Sequence, residues 1–333
     1  MIEEFNRIQK ILDQSASIVL TTHVNPDGDG LGCELALAAY LRATSKRVSI
    51  LNHSATPSNY LFLDPANDLQ QYDPLQHESL VSAADAIFVL DTNHPDRLVS
   101  MKDAVLKSRA KKICIDHHPD SGPFADVYVI DENATATGEI IYKMIAYLGG
   151  AVLDKSMCAG LYAAIMTDTG GFRYPKTDPE VHRIVARLIE GGADPVAIYD
   201  NVYEQGSPNR LQLLGRVLAG LTLNHDGTLA YLVVTKKMLE ETSTSSEDTD
   251  AFVPYTLGVK GVKVGLMFTE QEEGVKINFR SKGDIRVNEL AKQFGGNGHK
   301  NAAGARVSRI ALPEIISQVV ERANFLLSKD ALT

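Results

Sequence analysis

His23-Val-Asn-Pro-Asp27-Gly-Asp29-Gly-Leu-Gly32-Cys-Glu34 follows the apolar run Ser17-Ile-Val-Leu-Thr21 and precedes an amphipathic stretch from Leu35 to Leu41. That order predicts a buried strand, a turn and a helix. One imidazole and two carboxylates fall inside the turn, beside a proline and glycines that allow a sharp bend. Two more apolar runs end the same way. Ala84-Asp-Ala-Ile-Phe-Val-Leu90 stops at Asp91, and Lys111-Lys-Ile-Cys-Ile115 stops at Asp116-His117-His118. Strands separated by helical stretches imply parallel βαβ units, hence an α/β fold. Open parallel sheets bind ligands at the carboxyl ends of their strands, near the switch point. The three termini are therefore expected to face one crevice.

With 333 residues the chain can bury two cores. A net charge of −9 argues against bulk coating of nucleic acid. The sum hides an asymmetry, because Val259 to Ile310 holds ten Lys/Arg against five Asp/Glu and is basic by five, leaving −14 elsewhere. A basic segment of this kind can hold an anionic substrate. Cys33, Cys114 and Cys158 are isolated in apolar patterns and read as buried thiols in a reducing cytoplasm. No apolar run reaches the roughly 20 residues that span a bilayer, and Met1-Ile-Glu-Glu-Phe5 does not resemble a signal peptide. A cytoplasmic protein with no membrane association is expected.

Helical spacing covers Glu3 to Leu12, and Arg47 to Leu51 reads as a second strand. Residues 53–80 are turn-rich and carry no clear period. Val127 to Ile130 reads as a strand, Gly138 to Tyr147 as a helix, and a further helix from about Asp154 runs into Thr167-Asp168-Thr169-Gly170-Gly171. Thr177-Asp-Pro-Glu180 and Asp194-Pro195 carry helix-start signals. The sequence divides into 1–195, a helical linker at 196–222, and a smaller α/β domain at 223–333. In that second part, strands at Val262–Phe268 and Val275–Phe279 form a hairpin, the polar stretch Glu240–Asp250 is a surface loop, and a glycine-dense loop spans Gly295–Gly304. Leu312 to Leu327 is a closing helix.

A lone Asp after a strand is ordinary turn chemistry. Four such sites converging are not, since that many carboxylates without cations would force protonation or strong repulsion. Carboxylates with imidazole and no thiolate suit Mn²⁺, or less selectively Mg²⁺, Co²⁺ or Fe²⁺. Two ions about 3.5–4 Å apart, sharing one carboxylate, accommodate the donor count and favour in-line displacement at phosphorus. In the glycine-dense loop, backbone N–H groups can converge on an anion, and Arg280 with Ser281 at a strand end adds to that expectation. His94 and Arg97 follow Asp91 closely and are expected beside the site.

At Asp116-His117-His118 the chain resembles the DHH phosphoesterases. Their four acidic motifs are matched by His23-x-x-x-Asp27-x-Asp29, Asp91, Asp116-His117-His118 and Asp168. The Gly295–Gly304 loop resembles the signature of the DHH-associated C-terminal domain, with Asn297 where that signature has glycine. The resemblance implies a parallel-sheet DHH domain with helices on both faces. By the length and the first motif, it is strongest to the nanoRNase/pAp phosphatases, with RecJ exonucleases as relatives. It implies one metal held by His23, Asp27 and Asp91 and another by Asp29, Asp91, His117 and Asp168, Mn²⁺ preferred with Mg²⁺ or Co²⁺ as alternatives. Asp91 would bridge, and a hydroxide shared by both ions would attack phosphorus in line. It further implies His118 at the scissile phosphate, Asp116 and Asn25 as supports, and Arg280, Ser281, Gly296, Gly298 and His299 as phosphate contacts. Short oligoribonucleotides, 3′-phosphoadenosine 5′-phosphate (pAp) and dinucleotides are the implied substrates, and a homodimer is left open. The alternatives are a cyclic or linear dinucleotide phosphodiesterase and, from another class, a non-catalytic nucleotide or RNA binder.

Overall fold

The computed structural model describes residues 1–119, 121–149 and 153–330, apart from the side chains of His299, Lys329 and Asp330. The chain divides into two units, Met1–Gln205 and Gly206–Thr333.

The first unit holds strands β1 (Ser17–Thr21), β2 (Arg47–Asn52), β3 (Leu69–Gln71), β4 (Ala86–Leu90), β5 (Lys111–Asp116) and β6 (Val127–Ile130). Its helices are α1 (Ile2–Gln14), α2 (Gly28–Ala43), α3 (Pro74–Ser82), α4 (Lys102–Lys107), α5 (Thr137–Tyr147), α6 (Lys155–Asp168), α7 (Pro179–Glu190) and α8 (Pro195–Tyr203). All six strands are parallel, in the order β3-β2-β1-β4-β5-β6. The switch point lies between β1 and β4, so the chain leaves these neighbours in opposite directions and a crevice opens at their carboxyl ends. Alternate side chains of a strand face opposite layers. Ile18, Leu20, Phe88 and Leu90 pack against Leu31, Ile141 and Leu161 of α2, α5 and α6. Val19, Ile87 and Val89 pack on the other face against Val81 and Val105 of α3 and α4. Helices cover both faces, as expected of strands that are apolar throughout.

The opening stretch differs from its expected form. The helix begins at Gly28 rather than Leu35, and Asp27 is its N-cap, accepting from the N–H groups of Asp29 (3.0 Å) and Gly30 (3.4 Å). The bend is made by Asn25, at φ 54°, ahead of Pro26. The glycines serve closeness instead. A Cβ on Gly30 would lie 2.4 Å from Thr22 Oγ1, and one on Gly32 would lie 2.2 Å from the Gly160 carbonyl. Residues 53–80, without a period in the sequence, contain a 3₁₀ turn at Ser58–Leu63, the three-residue β3 and helix α3.

The second unit holds α9 (Pro208–Ala219), β7 (Thr222–Leu223), β8 (Leu229–Val234), α10 (Lys236–Thr242), α11 (Pro254–Leu257), β9 (Val264–Gln271), β10 (Gly274–Ser281), α12 (Val287–Lys292), β11 (Asn297–His299), β12 (Ala302–Ser308) and α13 (Leu312–Asp330). Its mixed sheet runs β11-β12-β10-β9-β8-β7, antiparallel except between β8 and β9. Residues 196–222 are shared out, α8 to the first unit and α9 to the second. The glycine-dense stretch is a tight hairpin of β11 and β12, not an open loop. Its glycines admit a neighbouring strand, since a Cβ on Gly296 would meet the Gly304 carbonyl at 2.2 Å and one on Gly298 the Ala302 carbonyl at 2.5 Å.

Candidate active site

The carboxyl ends of β1, β4 and β5 and the end of α6 bring the acidic and histidine residues of the first unit together. Three groups have ligand atoms within 4.8 Å of one another: His23, Asp27 and Asp91; Asp29, His117 and Asp168; and Asp91, Asp116, His117 and His118. Asp91 stands between them. Its Oδ2 is 3.2 Å from His23 Nε2, while Oδ1 is 3.8 Å from His117 Nε2 and 3.7 Å from His118 Nδ1. It adopts φ 57° directly after β4. A non-glycine residue held in that region costs roughly 1–3 kcal/mol, so the turn that aims this carboxylate is retained against local preference.

Each imidazole is oriented from behind. His23 Nδ1 lies 2.8 Å from the Val24 carbonyl and 3.0 Å from the Arg97 guanidinium, which set the ring so that Nε2 faces Asp91. Burial holds this imidazole below the usual histidine range, and the Arg97 guanidinium near Nδ1 adds to the effect. Asp116 Oδ1 accepts from His118 Nδ1 at 2.6 Å and from the His117 N–H at 2.7 Å. His117 Nε2 lies 3.0 Å from Asp168 Oδ2 and 3.9 Å from Asp29 Oδ2.

Asp29, fully buried, accepts from the backbone N–H groups of Thr137 (2.7 Å) and Gly138 (2.8 Å) at the start of α5. Thr137 Oγ1 also donates to Asp91 Oδ1 at 3.0 Å. The sequence reading missed both residues, although the Thr-Gly pair at a helix start was the available signal. At the other end, Asp168 is the last residue of α6. A carboxylate there opposes the helix dipole, a placement that favours a cation nearby rather than helix stability.

The donors fit divalent cations. Burial pushes the Asp29 carboxyl well above the carboxylate range, with Asp91 and Asp168 adding repulsion. Burial does the same to Asp91, reinforced by Asp27 and Asp168. His117 is pulled down by burial, yet close contact with Asp168 and the charges of Asp29 and Asp91 carry it up to about 10. Within the cluster, Asp116 Oδ2 is buried without a hydrogen-bond partner, and His117 Nε2 faces carboxylates alone. Positive charge is missing from the cluster, and the chain itself supplies little of it.

The remaining expected residues stand elsewhere. Asn25 turns the chain, its N–H donating to Ser54 Oγ at 3.0 Å. Arg280 and Ser281 end β10 in the second unit. Ser281 Oγ donates to the Ile285 carbonyl at 2.6 Å and accepts from Asn301 Nδ2 at 2.8 Å. The N–H groups of Gly296 and Gly298 donate to the Ala291 carbonyl (2.9 Å) and to Asn297 Oδ1 (2.8 Å). The expected convergence of these amides on an anion is therefore replaced by local hydrogen bonds, one to α12 and one to Asn297. The His299 side chain lies outside the described residues.

Known proteins match along most of the chain. The N-terminal domain of the DHH family matches residues 17–165, and the DHHA1 domain matches 226–324. A bifunctional oligoribonuclease and PAP phosphatase NrnA from Thermus thermophilus is 31% identical over 91% of this chain and 88% of its own length. The crystal structure of an exopolyphosphatase-related protein from Bacteroides fragilis has a TM-score of 0.94 and 31% identity, covering 100% of this chain and 98% of that one. In fold alone, RecJ from Thermus thermophilus in complex with Mn²⁺ is similar, with a TM-score of 0.53 and 14% identity over 97% of this chain and 54% of that one. With both domains matched and the acidic motifs gathered at one sheet edge, the chain belongs to the DHH family of phosphoester hydrolases.

Proposed function

We propose that this protein hydrolyses short oligoribonucleotides to mononucleotides, and pAp to AMP, with two divalent cations. The convergence of His23, Asp27, Asp29, Asp91, His117 and Asp168 carries the reading, supported by the relative named oligoribonuclease and PAP phosphatase. Asp91 has one oxygen toward His23 and the other toward His117, so it is the carboxylate to be shared between a His23–Asp27 group and an Asp29–His117–Asp168 group. Divalent ions in such a pair polarise a phosphoryl oxygen and acidify water, and Mn²⁺ matches this carboxylate and imidazole set best.

The side chains divide the remaining work. His118 donates from Nδ1 to Asp116, which fixes its ring and leaves Nε2 pointing away from that carboxylate. There the imidazole stabilises charge on the phosphoryl oxygens or gives a proton to the leaving oxygen. Asp116 also accepts from the His117 N–H and so aligns both rings. In the second unit, Arg280 is the phosphate-binding cation at the end of β10, while Gly296 and Gly298 keep the hairpin tight enough to present its neighbours. Ser281 takes part by fixing Asn301 and the turn at Ile285.

Incubation with RNA of two to five nucleotides tests the reading. Mononucleotides should accumulate with Mn²⁺ and not after chelation. Turnover of pyrophosphate in preference to diribonucleotide or pAp would sink it. Arg280→Ala should raise KM for diribonucleotide roughly tenfold, the scale of one lost charge-assisted contact.

A further inference from the structure

Five tyrosines are exposed among the described residues, and three of them, Tyr174, Tyr199 and Tyr203, fall in residues 174–203. Single exposed rings are ordinary, but a group of them marks a contact surface. Tyr199 and Tyr203 lie one turn apart on α8, their ring centroids 5.0 Å from each other. Tyr174 rests against Gly170, two residues past Asp168, where a Cβ would come within 2.5 Å of the ring. Tyr203 adjoins this ring. Its phenol is near enough to Tyr174, Tyr199 and the Asp168 carboxylate to interact electrostatically with all three. On the other flank, the Tyr60 ring reaches within 3.1 Å of where a Gly28 Cβ would sit, next to Asp27 and Asp29. Arg173 is tethered there by Nε donating to the Gly170 carbonyl at 2.8 Å. A shallow cavity of about 360 Å³, lined in part by Gly171, Phe172, Val196 and Tyr199, continues the surface.

We propose that Tyr203, Tyr199 and Tyr174 form a base-stacking ledge, which holds a nucleobase of the substrate beside the phosphoester bond that the metal-ligand cluster addresses. The inference rests on the function proposed above and adds a binding site to it. Continuity with the cluster selects the occupant, since a chain whose phosphate lies at Asp91 and Asp168 must set its next base on whatever surface adjoins Asp168. Aromatic rings bind bases of any identity through their π-faces, and an adjacent guanidinium can stack or meet phosphate. Two or three rings can accommodate only one or two bases, so affinity should level off after the first few nucleotides.

The test compares KM for a diribonucleotide with KM for its analogue carrying an abasic sugar in place of one base. The wild type should favour the base-bearing substrate by about tenfold or more, as one base–aromatic stack implies. Tyr199→Ala with Tyr203→Ala should shrink that ratio to under twofold, as should Tyr174→Ala in part, while Tyr→Phe at the same positions should retain it. A ratio that is absent in the wild type, or persists in the alanine variants, overturns the ledge. If neither substrate is cut, the proposed function has failed, and the ledge is judged by binding alone. Quenching of a 2-aminopurine dinucleotide by the wild type and its loss in the double variant still supports the ledge, whereas no quenching overturns it. Conversion of a dimer to a monomer by the double variant, with quenching unchanged, would assign the surface to subunit contact and also overturn it.

Discussion

Asp91 shows how much one residue can be asked to do. It takes a left-handed backbone, accepts from Thr137, and offers an oxygen to each ligand group. Asp91→Ala should lower kcat on short RNA by at least about 100-fold, because losing one well-placed group near a metal typically costs that much. Full turnover by this variant would exclude the shared-carboxylate arrangement. Glu34 is a quieter case. Fully buried, it accepts from Asn52 Nδ2 at 2.7 Å, and Asn52 Oδ1 accepts from the N–H of Thr22, next to His23. Burial pushes the Glu34 carboxyl well up, which favours its neutral form in the folded protein. A raised carboxyl gives stability that is present below its unfolded value near 4.3 and is lost as pH rises through the folded one. Glu34→Gln keeps the acceptor without the ionisation. It should therefore melt higher than the wild type at pH 9 and nearly equally at pH 5, by calorimetry. Glu34→Ala should lose about 1–3 kcal/mol, leaving Asn52 Nδ2 without its acceptor in the core.

The elements set these residues in place through closeness rather than through strong side-chain contacts. Helices α2 and α6 cross where Gly32 and Gly160 face each other, and either Cβ would strike the opposite backbone carbonyl. That crossing brings the first turn of α2, with Asp29, alongside the last residue of α6, Asp168. Gly32→Ala must push the helices apart or strain them, at about 1–3 kcal/mol. It should also weaken Mn²⁺ binding by titration calorimetry, although residue 32 holds no ligand. Unchanged affinity would show that the two helix ends are positioned independently. This level was the least readable in the sequence. Strands β1, β4 and β5 announce themselves as apolar runs ending in candidate ligands. The three-residue β3 and the hairpin of β11 and β12 have no period long enough to register. The glycines after Asp27 look like a turn for the same reason that they pack well: both uses need a missing side chain. The α5 amides on Asp29 are marked only by the Thr137-Gly138 pair at a helix start, with no charged or ligating side chain to draw attention to them.

At the level of the molecule, the cluster in the first unit acts against folding until a cation arrives. His117 is carried to about 10, and Asp29 and Asp91 are carried upward too. For each group the folded value exceeds the unfolded one, near 6.5 for histidine and 3.9 for Asp. Stability of the metal-free protein therefore falls as pH rises, with the His117 part lost between about 6.5 and 10. The melting temperature in chelator should be lower at pH 9 than at pH 6, and saturating Mn²⁺ should narrow or reverse the difference. A flat profile in chelator would remove the electrostatic account of the cluster. All candidate ligands belong to Met1–Gln205, which has its own cores. A chain ending at Gln205 should therefore still bind Mn²⁺ by calorimetry, while one lacking Arg280 should lose affinity for RNA. The candidate ligands are legible as motifs, because strand ends are local. The division of labour between units follows from which core each helix joins, and α8 and α9 look alike until their partners are known.

The ligand groups draw on residues 23–29, 91, 116–118 and 168. During synthesis the chain therefore passes through a long interval in which most of the acidic cluster exists and its closing member does not. Neither ligand group can complete itself from one contiguous piece, and the Asp29–His117–Asp168 group waits for the last residue of α6. A chain stopped before residue 168 would carry the strand-end members of the cluster without the carboxylate that closes the Asp29–His117–Asp168 group.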